Sequence, residues 1–199
     1  KKKVKKIFFI GTNEIWHGFY PYLNSKTSPI YKSHLDVLYD LSKIEKNFTE
    51  LEIYYKPHPK DRIFLKYKKL IPKNIKIVEN VDVYEKIKKS DLIITICSSL
   101  ACDALIEKKP VLILGKFELS NKNICYELKN KKYLNKIIKL LINNKLKNNS
   151  ELWENFANYI LKYYLYNISN YKFGQMNYKH FAAKIHSLTK QKKIHLANK

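Results

Sequence analysis

Three short apolar runs constrain this chain more than anything else in it: Leu51 to Tyr55, Leu92 to Ile96 and Val111 to Leu114. Each has strand length, each runs into a polar loop, and helical spacing fills the stretches between them. Strands alternating with helices predict an α/β architecture, a Rossmann-like parallel sheet flanked by helices. The middle run is rich in β-branched residues, as a strand buried on both faces requires. The first run ends at Pro57 and Pro59, which cannot continue a central strand and hold His58 in extended backbone. The second leads to Ser98 and Ser99, either of which can cap a helix of Leu100, Ala101, Ala104, Leu105 and Ile106. That would gather hydroxyls and free backbone N–H groups at one helix start. Val4 to Ile10 and Ile75 to Val78 read as further strands, and Gly115 closes the run from Val111.

Ligands on parallel sheets bind at the carboxyl ends of the strands, where His58 and the serine pair both fall. The two segments therefore read as two sides of one phosphate pocket. An imidazole and two hydroxyls can donate to phosphate oxygens, and Asp103, one turn into the helix, can accept from a sugar hydroxyl. Lys56 and Pro59 flank the histidine, with Lys56 a candidate charge for the phosphate. The loop after the first strand supplies Gly11, Thr12 and Asn13 as further candidate contacts. This set fits a nucleotide or a nucleotide-sugar.

At these residues the chain resembles a family. Lys56-Pro57-His58-Pro59, the Ser98-Ser99 pair and the run from Ala104-Leu105 to Lys109-Pro110-Val111-Leu112-Ile113-Leu114-Gly115 resemble the bacterial capsule polysaccharide synthesis proteins that include the β-Kdo transferases. The His-Pro and Ser-Ser pairs are also similar to those of bacterial sialyltransferases and of teichoic-acid CDP-glycerol glycerophosphotransferases. The resemblance spans residues 7 to about 120, and the two motifs together are more specific than either alone. It implies the nucleotide-binding half of a GT-B glycosyltransferase, with a CMP- or CDP-linked donor such as a Kdo or sialic acid sugar, and a glycan or glycolipid acceptor. It also implies an acceptor-binding amino-terminal domain, expected to be missing from this chain. Ile96 stands where the teichoic-acid pattern has an acidic residue. Cys102 and Asp103 stand where the capsule family often has a small residue and a Glu.

The formal charge of +22, from 39 Lys and Arg against 17 Asp and Glu, attracts polyanions. No zinc-finger, RNP or homeodomain pattern accompanies it, so nucleic acid is not the expected partner. Peripheral contact with an anionic inner membrane is compatible with it. Two rivals to a CMP-sugar transferase stay open: a UDP-sugar transferase or epimerase on the same fold, and a non-catalytic basic domain that binds polyanions. The apolar runs fall far short of the ~20 residues that a membrane span needs. Cys97, Cys102 and Cys125 lie in or beside apolar segments and form no zinc pattern, which predicts reduced, buried thiols and a cytoplasmic location. Neither a cofactor nor a metal is required, because backbone amides, His58 and lysines can carry a leaving nucleotide's charge.

The remaining segments organise around that core. Residues 1–130 form the expected nucleotide-sugar-binding domain and 131–199 a carboxy-terminal helical segment packed on it. Trp16 to Pro29 reads as a long loop over the site, and Glu14 and His17 are the only candidates for a general base. Ser33 caps a helix whose apolar face is Leu35, Leu38, Tyr39, Leu41 and Ile44, and His34 at its start is expected to be exposed. Asp82 caps another helix, at Val83 to Ile87. Lys116 to Lys129 reads as irregular. Helices follow on the stripes Tyr133 to Ile142 and Leu152 to Tyr163, and a last one is expected from Asn177 to Leu188.

Overall fold

The computed structural model describes residues 4–13, 28–116 and 118–163, and the chain divides into two units, Lys1–Ser150 and Glu151–Lys199. Glu14, His17, residues 16–27 of the expected loop and the expected helix from Asn177 lie outside the described residues.

In the first unit, β1 (Lys5–Ile10), β2 (Leu51–Lys56), β3 (Lys76–Ile77), β4 (Leu92–Thr95), β5 (Val111–Ile113) and β6 (Tyr126–Glu127) form one sheet. Every pairing is parallel and the order is β3-β2-β1-β4-β5-β6. This is the doubly wound Rossmann arrangement, with the chain direction of travel reversing between β1 and β4. Two of the strands are shorter or later than the sequence indicates. Only Lys76 and Ile77 of the Ile75 to Val78 run pair with β2, and the Lys116 to Lys129 stretch, expected irregular, contains β6. Tyr126-Glu127 has no periodicity to announce it, and its pairing with Leu112 and Ile113 of β5 makes it a strand.

Pairing sets the two faces. Ile7 lies opposite Ile53 and Leu92, and Phe9 opposite Tyr55 and Ile94, so these side chains share one face. They form a single core with Val37, Leu38 and Leu41 of α1 (His34–Glu45), Phe64 and Tyr67 of α2 (Phe64–Tyr67) and Leu134, Ile138 and Leu141 of α5 (Lys132–Ile142). On the opposite face, α4 (Leu100–Ile106) packs on β4, β5 and α3 (Val83–Lys88). Phe8, Ile10, Ile93 and Val111, which alternate with the first set, are buried there. Each fully buried apolar side chain contributes about 1.5–3 kcal/mol, so the central strands carry the stability and hold the carboxyl edge of the sheet rigid.

The helix starts follow their caps. The Ser33 hydroxyl accepts the Asp36 N–H at 3.1 Å, and one Asp82 carboxylate oxygen accepts the Tyr84 and Glu85 N–H groups at 2.8 and 3.2 Å. Helix α4 ends at Lys108, held at φ 54°, with the Lys109 N–H returning to the Ala104 carbonyl at 2.9 Å. That is the left-handed helix stop usually filled by glycine. The second unit is described by α6 (Ser150–Tyr163), on which the Trp153 and Phe156 rings lie 6.4 Å apart, as their spacing of one turn dictates.

Candidate functional site

Ile10 is level with Lys56 on one side and with Thr95 on the other. The loops that begin at Gly11, Pro57 and Ile96 therefore leave the sheet together, on both sides of the strand-order reversal. Hydrogen bonds sew the three loops to one another. The Gly11 N–H donates to the Lys56 carbonyl at 2.8 Å, and the Asn13 side-chain amide to the Lys60 carbonyl at 2.8 Å. On the other side, the Thr95 hydroxyl donates to the Ile10 carbonyl and accepts the Ser98 N–H, both at 3.1 Å. The Thr12 side chain lies beside the Cys97 thiol and opposes the rise that burial gives its pKa. Thr12 and Asn13 are buried at 2% and 3% exposure. Gly11 permits a close approach by β2: a Cβ there would stand 3.1 Å from both the Lys56 carbonyl oxygen and the Tyr55 hydroxyl.

His58 sits half-buried between Pro57, which is buried, and Pro59, which is exposed. The Lys60 N–H donates to its Nδ1 at 3.1 Å, so the neutral ring carries its proton on Nε2. Burial lowers the His58 pKa; Asp61 opposes that shift, and Lys60 and Lys56 add to it. Near neutral pH the ring is thus a neutral Nε2–H donor, and an arriving anion would favour its protonated form.

The serine side is less tightly built. The Ser98 hydroxyl accepts the Leu100 N–H at 3.3 Å, and the Ala101 and Cys102 N–H groups turn back to the Ser98 and Ser99 carbonyls at 3.0 and 2.9 Å. The free amides expected at the start of α4 are therefore already bonded within the turn. Ser99 is exposed at the cap position and its side chain makes no capping bond. Asp103 lies in the first turn of α4, half-buried. The Lys56 ammonium donates to the Glu79 carbonyl at 2.7 Å. Burial raises all three thiols, Cys97 and Cys125 to about 12, so they stay protonated. The Glu118 carboxylate, just beyond β5, adds to the shifts of Cys97 and Cys102 and so marks an acidic group beside the serine loop. At the carboxyl ends of β5 and β6 lies a cavity of about 230 Å³. Its floor is Ile113, Leu114 and Leu128, and Lys116, Ser120 and Glu127 are among its walls.

One expectation is reversed outright: His34 is not exposed but fully buried. Its ring lies edge-on to Phe9 with centroids 5.7 Å apart. The Thr12 N–H donates to its Nε2 at 3.1 Å, and its Nδ1 lies 3.2 Å from the Tyr55 hydroxyl. Tyr55 lies 2.8 Å from the Tyr67 hydroxyl, which donates to Asp61 Oδ2 at 2.9 Å. Burial raises the Asp61 pKa, while the Tyr67 hydroxyl and the Ile63 N–H oppose that shift. Sequence reading missed this set because its members are polar residues scattered through apolar stretches.

Among the described residues, no group of three or more His, Cys, Asp or Glu side chains is placed to hold a metal, and no helix is long and apolar enough to cross a membrane.

Comparison with solved structures gives likenesses of fold. A UDP-GlcNAc 2-epimerase from Methanocaldococcus jannaschii has 18% identity and a TM-score of 0.50, over 79% of this chain and 46% of that one. The spinosyn rhamnosyltransferase SpnG has 12% identity and a TM-score of 0.53, over 81% and 42%. KpsC, a β-Kdo 2,7 transferase from Thermosulfurimonas dismutans, has 23% identity and a TM-score of 0.48, over 66% and 40%. The chain thus spans less than half the length of each of these. Comparison with curated protein sequences gives no match. A family description does match: "Capsule polysaccharide biosynthesis protein", over residues 28–171, well over half of the 199. That stretch takes in the His58 loop, the Ser98-Ser99 turn and five of the six strands, and by it the chain belongs to the capsule polysaccharide biosynthesis protein family.

Proposed function

We propose that this chain is the nucleotide-sugar-binding half of a GT-B glycosyltransferase of capsule polysaccharide synthesis, with a CMP-activated sugar of the Kdo or sialic acid type as donor. The observation that supports it most is the convergence of the Gly11, His58 and Ser98 loops where strand order reverses, in a chain of this family. In this reading His58 Nε2–H and the Ser98 and Ser99 hydroxyls donate to the phosphate, with Ser99 the stronger contributor because Ser98 already serves Leu100. Asp103 accepts from the ribose, and Lys56 and Pro59 flank the anion. Gly11, Thr12 and Asn13 support the site from beneath.

The reaction needs an acceptor hydroxyl to attack the anomeric carbon while the bond from that carbon to the phosphate oxygen breaks. The electron pair stays on the leaving nucleotide, and donors aimed at that oxygen lower the barrier by meeting charge where it develops. The glycan or glycolipid acceptor and the group that takes its proton belong, in this reading, to the other half of the enzyme. The net charge of +22 suits a cytoplasmic enzyme that rests on an anionic inner leaflet.

Calorimetric titration with CMP, CDP, UMP and UDP tests the proposal. Cytidine nucleotides should bind more tightly than uridine nucleotides, and His58→Ala should weaken them by about tenfold or more, the loss of a hydrogen bond to a charged group. A uridine preference would move the assignment to UDP-sugars. Salt-steep binding of any polyanion with no nucleotide preference would replace it with a polyanion-binding domain.

A further inference from the structure

The polar groups behind the crevice form a chain whose direction is fixed at both ends. A backbone N–H can only donate, so the bond from Thr12 makes His34 Nε2 an acceptor and leaves the ring hydrogen on Nδ1. A carboxylate can only accept, so the Tyr67 hydroxyl hydrogen points at Asp61. The interior contacts follow from these ends. Nδ1–H of His34 faces the Tyr55 hydroxyl at 3.2 Å and the Tyr67 hydroxyl at 3.4 Å, and the Tyr55 hydroxyl donates to Tyr67 at 2.8 Å. All five residues are buried, none more than 8% exposed.

The two ends of this chain are the two loops of the candidate site. Thr12 leaves the end of β1 that Thr95 ties to the serine turn, since the Thr95 hydroxyl donates to the Ile10 carbonyl and accepts the Ser98 N–H, both at 3.1 Å. The Asp61 N–H donates to the His58 carbonyl at 2.9 Å. Apolar packing alone tolerates small sliding of one element past another, whereas a fully satisfied directional chain permits one arrangement, because any slip strands a buried donor. We infer that His34 is a positioning residue: through Tyr55, Tyr67 and Asp61 on one side and Thr12 on the other, it fixes the separation between His58 and the Ser98-Ser99 turn. This deepens the nucleotide reading and rests on it for its functional consequence, while the chain itself is open to test with no ligand present.

Tyr67→Phe keeps the aromatic packing and removes the contacts to His34, Tyr55 and Asp61 together. In the wild-type protein, nitrogen NMR should report His34 with a bare Nε2 and a protonated Nδ1. In the variant the Thr12 amide should exchange with solvent faster, and CMP affinity should fall about three- to tenfold. Placed on His58→Ala, the same substitution should cost little more, because there is no longer an imidazole to position; a merely structural lesion would add in full. A His34 ring protonated on Nε2 would overturn the chain, whatever the protein binds. So would a Tyr67→Phe protein that keeps wild-type CMP affinity while His58→Ala loses it, or one whose loss adds in full to that of His58→Ala. If His58→Ala leaves CMP binding unchanged, the nucleotide reading fails, and the His34 proton and the Thr12 exchange rate still decide the chain.

Discussion

The two sides of the crevice are built on opposite plans. On the β2 side, His58 is clamped between prolines, one of its nitrogens is pinned by the Lys60 N–H, and its loop is tied through Asp61 to a buried run of hydroxyls and rings. On the β4 side, the Thr95 hydroxyl makes one seam to β1, and the serines end in an exposed turn whose amides mostly serve one another. In the proposed nucleotide site, one side would offer a donor aimed in advance and the other hydroxyls that rotate to suit what arrives. Rigid aim contributes more to affinity per bond, because less freedom is lost on binding.

That contrast orders the expected effects. His58→Ala should weaken CMP by ten- to a hundredfold, about 1.5–3 kcal/mol. The paired change Ser98→Ala with Ser99→Ala should weaken it by less, with most of the loss from Ser99; calorimetry showing the serine pair to matter more would break the comparison. Gly11→Ala should come next, since its methyl presses on Tyr55 and on the backbone of Lys56. Overpacking of this kind costs about 1–3 kcal/mol, to be read from denaturant midpoints, and CMP affinity should fall with it. If stability drops and affinity does not, the floor is independent of the grip.

Asp61→Asn sharpens the β2 side through pH. Asp61 holds the His58 pKa up against burial, so the variant's His58 should titrate lower still, as followed by proton NMR. The raised pKa of Asp61 itself makes its contribution to stability greatest in acid and lost as the pH rises through the folded value. The stability of the asparagine protein relative to wild type should therefore be highest at neutral pH and fall below the ordinary carboxylate range. For His58 the sign is opposite: its lowered pKa gives stability that is complete above the usual imidazole value and fades as the pH falls through the folded one.

The smallest effect belongs to Lys108→Gly. Relief of the left-handed backbone at φ 54° should stabilise the protein by up to about 1 kcal/mol without touching the crevice. Thermal melting should rise and CMP affinity should stay put, and a change in affinity would show that the β4 side is less independent of its helix than the geometry indicates.

Most of the fold could be read in the letters. The short apolar runs bounded by Pro57, Ser98 and Gly115 read as strands by their length and their bounding residues, and Ser33 and Asp82 announce their helices. Tyr126-Glu127 was illegible because two residues carry no period; only pairing with β5 makes them a strand. The candidate ligand residues were legible as a pattern of loops at strand ends. His34 was not, because its partners Thr12, Tyr55 and Tyr67 lie 22, 21 and 33 positions away. A lone histidine after a serine cap looks solvated until the rings that enclose it are in view. The start of α4 misled in the other direction: composition suggests amides open to an anion, and the tight Ser98-Ser99 turn closes most of them.

The brevity of β3 and β6 has a consequence outside the crevice. Each outer margin of the sheet is a ladder two rungs long, so a stray extended segment finds almost no main-chain groups to zip against. Mutual repulsion between highly charged copies acts in the same direction.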